Sequence, residues 1–174
     1  DICKERIIMQ TILNAVNDVK EQFRELVIQS EIAEKGLSKE QYTRYLQMQY
    51  HLVKDVQQAF YKVAGHADIF PKTGFRNFLL EFGSEEGPHY LMALKDLKNL
   101  GGEVGEAPLD VKLWWSYFTN LIDTKPLVRI GGTCVLENIG PAASDLVDAA
   151  MAKSDYLNKK NTTFLVLHKH EVVD

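Results

Sequence analysis

The sequence predicts an all-α fold, a multi-helix bundle of about seven helices, and three observations predict it. Apolar residues recur at spacings of three and four along most of the chain. Glycine and proline number only 11 and 5 in 174 residues, too few for a sandwich or barrel, which needs a turn signal about every eight to twelve residues. No segment alternates apolar and polar residues long enough to make a credible strand. With 45% hydrophobic residues, the whole chain, 1–174, reads as a single helical domain.

The elements follow in order. Ile7, Ile8, Ile12, Val16, Val19, Phe23, Leu26 and Val27, extended by Ile28 and Ile32, mark one long amphipathic helix over about 4–33. The turn Glu34-Lys35-Gly36-Leu37 leads into Ser38-Lys39-Glu40-Gln41, a capping box that starts a second helix running to about Ala64, with Gly65 as its stop. Tyr42, Leu46, Met48, Tyr50, Val53, Val56, Phe60 and Val63 are its expected buried face. A third helix covers about Thr73 to Phe82, and Gly83 to Pro88 breaks the period. Pro88 suits the first turn of the next helix, which ends at Gly101-Gly102. Pro108 opens another, with Leu113, Trp114, Tyr117, Phe118 and Leu121. A long helix from about Leu127 to Ser154 is interrupted or kinked near Gly140-Pro141, and Asn161-Thr162 can cap a last one from Thr163 onward.

Charge and cysteine content narrow the function classes. Twenty Lys and Arg stand against 24 Asp and Glu, a net charge of −4, and no basic block offers a footprint for nucleic acid or an anionic membrane. Neither nucleic acid nor membrane is an expected partner. Cys3 and Cys134 are the two cysteines, so no disulfide framework or CxxC motif exists, and the composition reads as cytoplasmic. The long amphipathic first helix makes a homodimer an expectation.

Three clusters could carry chemistry. Between Ile130 and Ser144 the one charged residue is Glu137; a carboxylate on so apolar a helix needs a compensating cation or donors, and a metal ion or a neighbouring Arg or Lys would both serve. In the last helix His170 and Asp174 lie four apart on one apolar face, a half-site for iron, manganese or zinc, or a surface pair. His168 is about 160° around that helix from His170, so both cannot readily serve one ion, and His170 is preferred for its Asp174 companion. In the third cluster Glu86 and His89 have Glu-x-x-His spacing, interrupted by Gly87-Pro88. Glu81 is the alternative, brought beside His89 by a one-residue bulge, and Glu85 lies in the same acidic run. Together the clusters offer carboxylates and imidazoles from three helices, an inventory suited to two metal ions, with iron or manganese favoured over structural zinc.

The order Glu81…His89, then Glu137, then His170-x-x-x-Asp174 resembles the heme-oxygenase-like diiron oxidase family, which includes the chlamydial death-domain-associating protein group. The resemblance runs from about Leu37 to the end. It implies a heme-free seven-helix bundle that activates O2 to oxidise a small organic substrate at an amine or aliphatic carbon. Two irons, or iron and manganese, would be held by Glu81 or Glu86, His89, Glu137, His170 and Asp174. Tyr50, His51 and Tyr90 are candidates to orient those ligands or relay protons. The family motif continues as His-x-x-x-Asp-x-x-His, so the chain is expected to be a portion of a longer protein whose final ligand follows Asp174. An apolar or amphipathic substrate would suit a pocket of Phe60, Phe78, Trp114, Trp115 and Phe118.

Other classes remain open. Cys134 and Glu137, three apart on one helix, suit a thiaminase-like cysteine hydrolase. His51 could be an axial heme ligand. A non-enzymatic helical interaction protein would use none of these groups.

Overall fold

The computed structural model describes the backbone of residues 2–168 and the side chains of residues 9–168; His170 and Asp174 lie outside the described residues. The fold is all-helical, with no strand among the described residues. The Cα positions cluster into two compact units, one of residues 1–37, 131–157 and 165–174, the other of 38–130 and 158–164.

The first unit contains α1 (Ile2–Gln29), α2 (Ile32–Lys35), most of α8 (Pro126–Ala142) and α9 (Ser144–Ala152). The long first helix stops at Gln29 instead of running to about residue 33. The Ser30 hydroxyl donates back to the Val27 carbonyl at 2.6 Å, the Glu31 amide tightens onto Ile28, and Glu31 turns left-handed at φ 58°. That reversal starts α2, which packs on α9. Gly36, at φ 79°, allows the approach: a Cβ there would lie 2.9 Å from the Lys153 carbonyl oxygen. The buried Ser154 hydroxyl completes the joint, accepting from the Leu37 amide at 2.8 Å and donating to the Ala150 carbonyl. Arg24 of α1 forks onto Asp145 at 2.5 and 2.7 Å and also reaches the Ala142 carbonyl. The interruption expected near Gly140-Pro141 falls at Ala143, between α8, which carries Pro141 in its last turn, and α9.

The second unit holds α3 (Lys39–Val53), α4 (Val56–Gly65), α5 (Thr73–Glu86), α6 (His89–Asn99), α7 (Leu109–Thr124) and the start of α8. The capping box forms as read: Ser38 Oγ accepts from the Gln41 amide, and Gln41 Oε1 accepts from the Ser38 amide. The single helix expected from Ser38 to Ala64 is two, however. No Gly or Pro marks the break at Lys54-Asp55. The partners differ instead, since α3 packs chiefly on α6 and α4 on α5, and one straight helix cannot follow both.

The core joins Ala59, Phe60, Val63 and Ala64 of α4 and Leu79 of α5 to Ile69 between them and Ile122 of α7, with Phe75, Phe82 and Trp115 against it. Here a second expectation gives way, because α5 continues through Gly83 to Glu86 instead of stopping at Phe82. An interior glycine costs a helix roughly 1 kcal/mol, but a Cβ at Gly83 would come 2.8 Å from Phe60 Cβ. Close helix packing outweighs the local propensity. The interruption shrinks to Gly87-Pro88, and Pro88 caps α6. The last element, α10 (Thr163–His168), begins where Asn161-Thr162 predict.

Candidate metal centre

Because α5 ends on Glu86 and α6 begins on His89, the two-residue Gly87-Pro88 junction brings their side chains together. Glu86 Oε2 lies 3.0 Å from His89 Nδ1, and each side chain is only 9% exposed. Gly87 makes room for this turn beside α4, since a Cβ there would meet the Gln57 side-chain amide at 2.8 Å. A carboxylate so far out of water requires compensation. If Nδ1 carries a proton, the imidazole donates to Glu86; if Nδ1 is bare, both facing atoms are acceptors, and a cation is the partner that suits both. A carboxylate oxygen and an imidazole nitrogen are a donor set for iron, manganese or zinc, so the residues present fit such a metal.

Within the second unit, Glu86 and His89 are the candidate ligands that the structure brings together. Of the other candidates, Glu81 and Glu85 are exposed on α5 and Glu137 is half-buried on α8. The Glu-x-x-His pair therefore meets without the bulge that Glu81 required.

Tyr50, His51 and Tyr90 form a run of ring contacts. The Tyr50 ring is 5.1 Å from that of His51 and 5.8 Å from that of Tyr90, both edge-on. His51 is buried, with Nε2 3.2 Å from the Gly105 carbonyl, while the Trp115 indole donates to the His51 carbonyl. Nε2 is thus engaged in loop packing, which counts against an axial heme role. The expected aromatic pocket does not assemble from its five members: Phe60 is in the core and Phe78 is 47% exposed. Two surface cavities of about 510 and 560 Å³ are lined by Lys62, His66 and Asp123 and by Lys39, Arg44 and Gln47, among others, and none of the candidate ligands is among them. Cys134 is solvent-exposed as a residue, yet desolvation of its thiol, chiefly, and the charge of Glu137 push its pKa up, against a smaller lowering by a backbone hydrogen bond. That is the wrong direction for a nucleophilic thiolate.

Two buried charges escaped the sequence reading. Asp96 on α6 is fully buried, and its Oδ2 accepts from the Phe164 amide at 2.7 Å. Its signal was present, because His89, Ala93, Asp96 and Leu97 share the buried stripe of α6. Arg129 is 3% exposed, its guanidinium 5.7 Å from the Trp115 ring and 5.3 Å from the Phe118 ring. Burial pulls its pKa down to about 10.

No protein-family model matches the sequence, and no curated protein does. The comparison that succeeds is structural. A crystal structure of a domain of unknown function with a heme oxygenase-like fold, from Shewanella denitrificans, superimposes with a TM-score of 0.75 over 98% of this chain and 72% of that one, at 19% identity. The class is therefore an all-α, heme-oxygenase-like helical bundle. At that identity the likeness is one of fold, and fold alone does not carry an activity.

Proposed function

We propose that this chain is a non-heme, iron-dependent oxidase or oxygenase that activates O2 to oxidise a small organic substrate at an amine nitrogen or an aliphatic carbon. The observation that carries the reading is the buried Glu86–His89 pair at the α5–α6 junction. The heme-oxygenase-like fold and the resemblance in the order of the ligand clusters support it. Iron held there would supply redox chemistry with O2 that no side chain provides.

The chain's own contributions are ligation, orientation and exclusion of water. Glu86 and His89 arrive from consecutive helix ends, so their separation is set by the two-residue junction and not by a mobile loop. Their low exposure removes competing water ligands. Tyr90 follows His89 directly and its ring touches Tyr50, so the two phenols are suited to orient a ligand or pass a proton. A second ion would draw on Glu137 and on the last helix, where His170 and Asp174 are the expected donors.

Anaerobic reconstitution with Fe(II), followed by elemental analysis, tests the reading. About two irons per chain are expected if both sites fill, and one if only the Glu86–His89 site does. No iron retained would leave Glu86 and His89 as a plain hydrogen-bonded pair and sink the proposal. His168→Ala and His170→Ala compared side by side identify which imidazole ligates.

A further inference from the structure

Glu86 and His89 keep their separation through the Gly87-Pro88 junction, so whatever fixes that junction fixes the pair. Its backbone is helical at both residues, with Gly87 at φ −52°, ψ −41° and Pro88 at φ −85°, ψ −9°. Glu-x-x-His spacing needs this geometry, because a continuous helical path is what sets residues three apart side by side. A proline works against it: the ring crowds the N–H and Cβ of the residue before it and moves that residue toward extended backbone. Glycine removes the Cβ share of the crowding and leaves both conformations open. An extended Gly87 would carry His89 away from Glu86, so the pair depends on a contact from outside the junction.

That contact comes from α4, within the same unit. Gly83 and Gly87 lie one helical turn apart on one face, and α4 fills the notch they leave. A Cβ at Gly83 would come 2.8 Å from Phe60 Cβ, and one at Gly87 would come 2.8, 2.9 and 3.0 Å from Nε2, Cδ and Oε1 of Gln57. Three nearly equal distances mean that the Gln57 amide presents its flat face to Gly87 and not an edge. Tyr61, one turn further along α4, holds the amide there: Gln57 Nε2 donates to the Tyr61 hydroxyl at 3.1 Å. The Tyr61 ring is itself seated on the notch, with Cε1 3.3 Å from where a Gly83 Cβ would stand. Moving Gly87 out of helical geometry breaks its contact with a side chain that is both packed and hydrogen-bonded.

We propose that Gln57 is a positioning residue for the Glu86–His89 pair: its amide, laid on Gly87 and anchored by Tyr61, holds the junction helical and so fixes the 3.0 Å approach of Glu86 Oε2 to His89 Nδ1. Its consequence for metal binding rests on the metal-dependent reading above. Packing on Gly87 is what the junction requires, and the polarity of the amide is secondary.

The metal-free proteins are compared first, by the imidazole nitrogen resonances of His89, with Glu86→Ala as the reference for a pair that has lost its carboxylate. Gln57→Met should match wild type, and Gln57→Ala should move toward the Glu86→Ala reference. Titration with Co(II) alone follows, read by ligand-field absorption. Gln57→Ala is expected to bind about 10- to 100-fold more weakly, with an altered spectrum. Gln57→Met, which keeps the length and bulk of the side chain, should bind within about threefold and keep the wild-type spectrum. Gly87→Ala, whose methyl would take the amide's place, should also weaken binding, and the double variant Gln57→Ala/Gly87→Ala should lose less than the product of the two single losses, because both break one contact. A role in stability alone would lower the melting temperature of Gln57→Ala while its His89 resonances and Co(II) spectrum stayed as in wild type. That result overturns the proposal, as does a double variant whose losses multiply independently. Should Gln57→Ala fail to fold, Gln57→Asn, which withdraws the same amide from Gly87 by one methylene, takes its place under the same criteria. Wild-type protein that takes up no Co(II) overturns the metal reading alone, since the His89 resonances of the metal-free proteins still decide whether Gln57 holds the pair.

Discussion

Glu86 and Asp96 are both carboxylates withdrawn from water, at 7% and 0% exposure, on two consecutive helices, and they are compensated in opposite ways. Glu86 faces an imidazole that can itself bind a cation. Asp96 faces a main-chain amide that cannot. Burial by itself thus says little about role; the partner's capacity to share a metal ion is what separates a ligand from a cap.

The largest effect should come from Glu86→Gln. Removing the carboxylate takes away an anionic ligand, so Fe(II) or Co(II) binding measured by calorimetry should fall by more than the roughly 100-fold upper cost of losing an outer-shell partner. The metal-free protein should melt no lower than wild type, because a buried charge has been removed. Asp96→Asn, by contrast, should leave metal binding almost intact. Equal loss in both would erase the distinction between the two carboxylates.

Next in size is Gly83→Ala. The new Cβ would press on Phe60 Cβ, close to the α4 backbone and unable to swing aside, so denaturant unfolding should show a loss of about 1–3 kcal/mol. The shift falls on the helix that ends in Glu86, and the metal affinity should weaken with it. The hydrogen exchange of the Phe164 amide, on the Asp96 side of the comparison, should stay as slow as in wild type.

A smaller effect lies in pH dependence. Desolvation first raises the Asp96 carboxyl pKa, and the hydrogen bonds from Phe164 and Thr163 only partly offset it. A carboxyl whose folded pKa exceeds its unfolded one contributes stability below the ordinary range, and this contribution is lost as pH rises through the folded value. Wild-type stability should therefore fall with rising pH just above about pH 4 relative to Asp96→Asn, in paired urea titrations. A flat difference would show that the two states of Asp96 are equally well accommodated.

The smallest expected effect has the opposite sign. In the first unit the Arg24 fork, by hydrogen bond and charge, holds Asp145 down at about 2. Its contribution is present above the ordinary carboxylate range and is lost as pH falls toward that value. Because Asp145 is exposed, added salt should weaken the effect, and Asp145→Asn should abolish it.

Helix identities were largely legible along the chain, because they rest on local chemistry. The Ser38 capping box, the Pro108 start and the Thr163 start are readable from two to four neighbouring residues. Breaks decided by packing were not. Nothing near Lys54 signals that α3 and α4 follow different partners, and Gly83 reads as a breaker until Phe60 is seen against it. The same division runs through the candidate site. Glu-x-x-His spacing pointed to Glu86 and His89, yet the choice over Glu81 depended on α5 continuing to residue 86. The preference for His170 over His168 rests on face arithmetic within one helix, and His170 lies outside the described residues.

The sequence by itself determined an all-helical bundle and an inventory of carboxylates and imidazoles, since periodicity, caps and composition are properties of neighbours in the chain. Tertiary structure alone decided which helices break, that Glu86 and not Glu81 faces His89, and that Asp96 caps a helix 68 residues away. Those outcomes depend on which surfaces exclude water from one another, and a polar group deprived of water must take whatever partner the fold delivers.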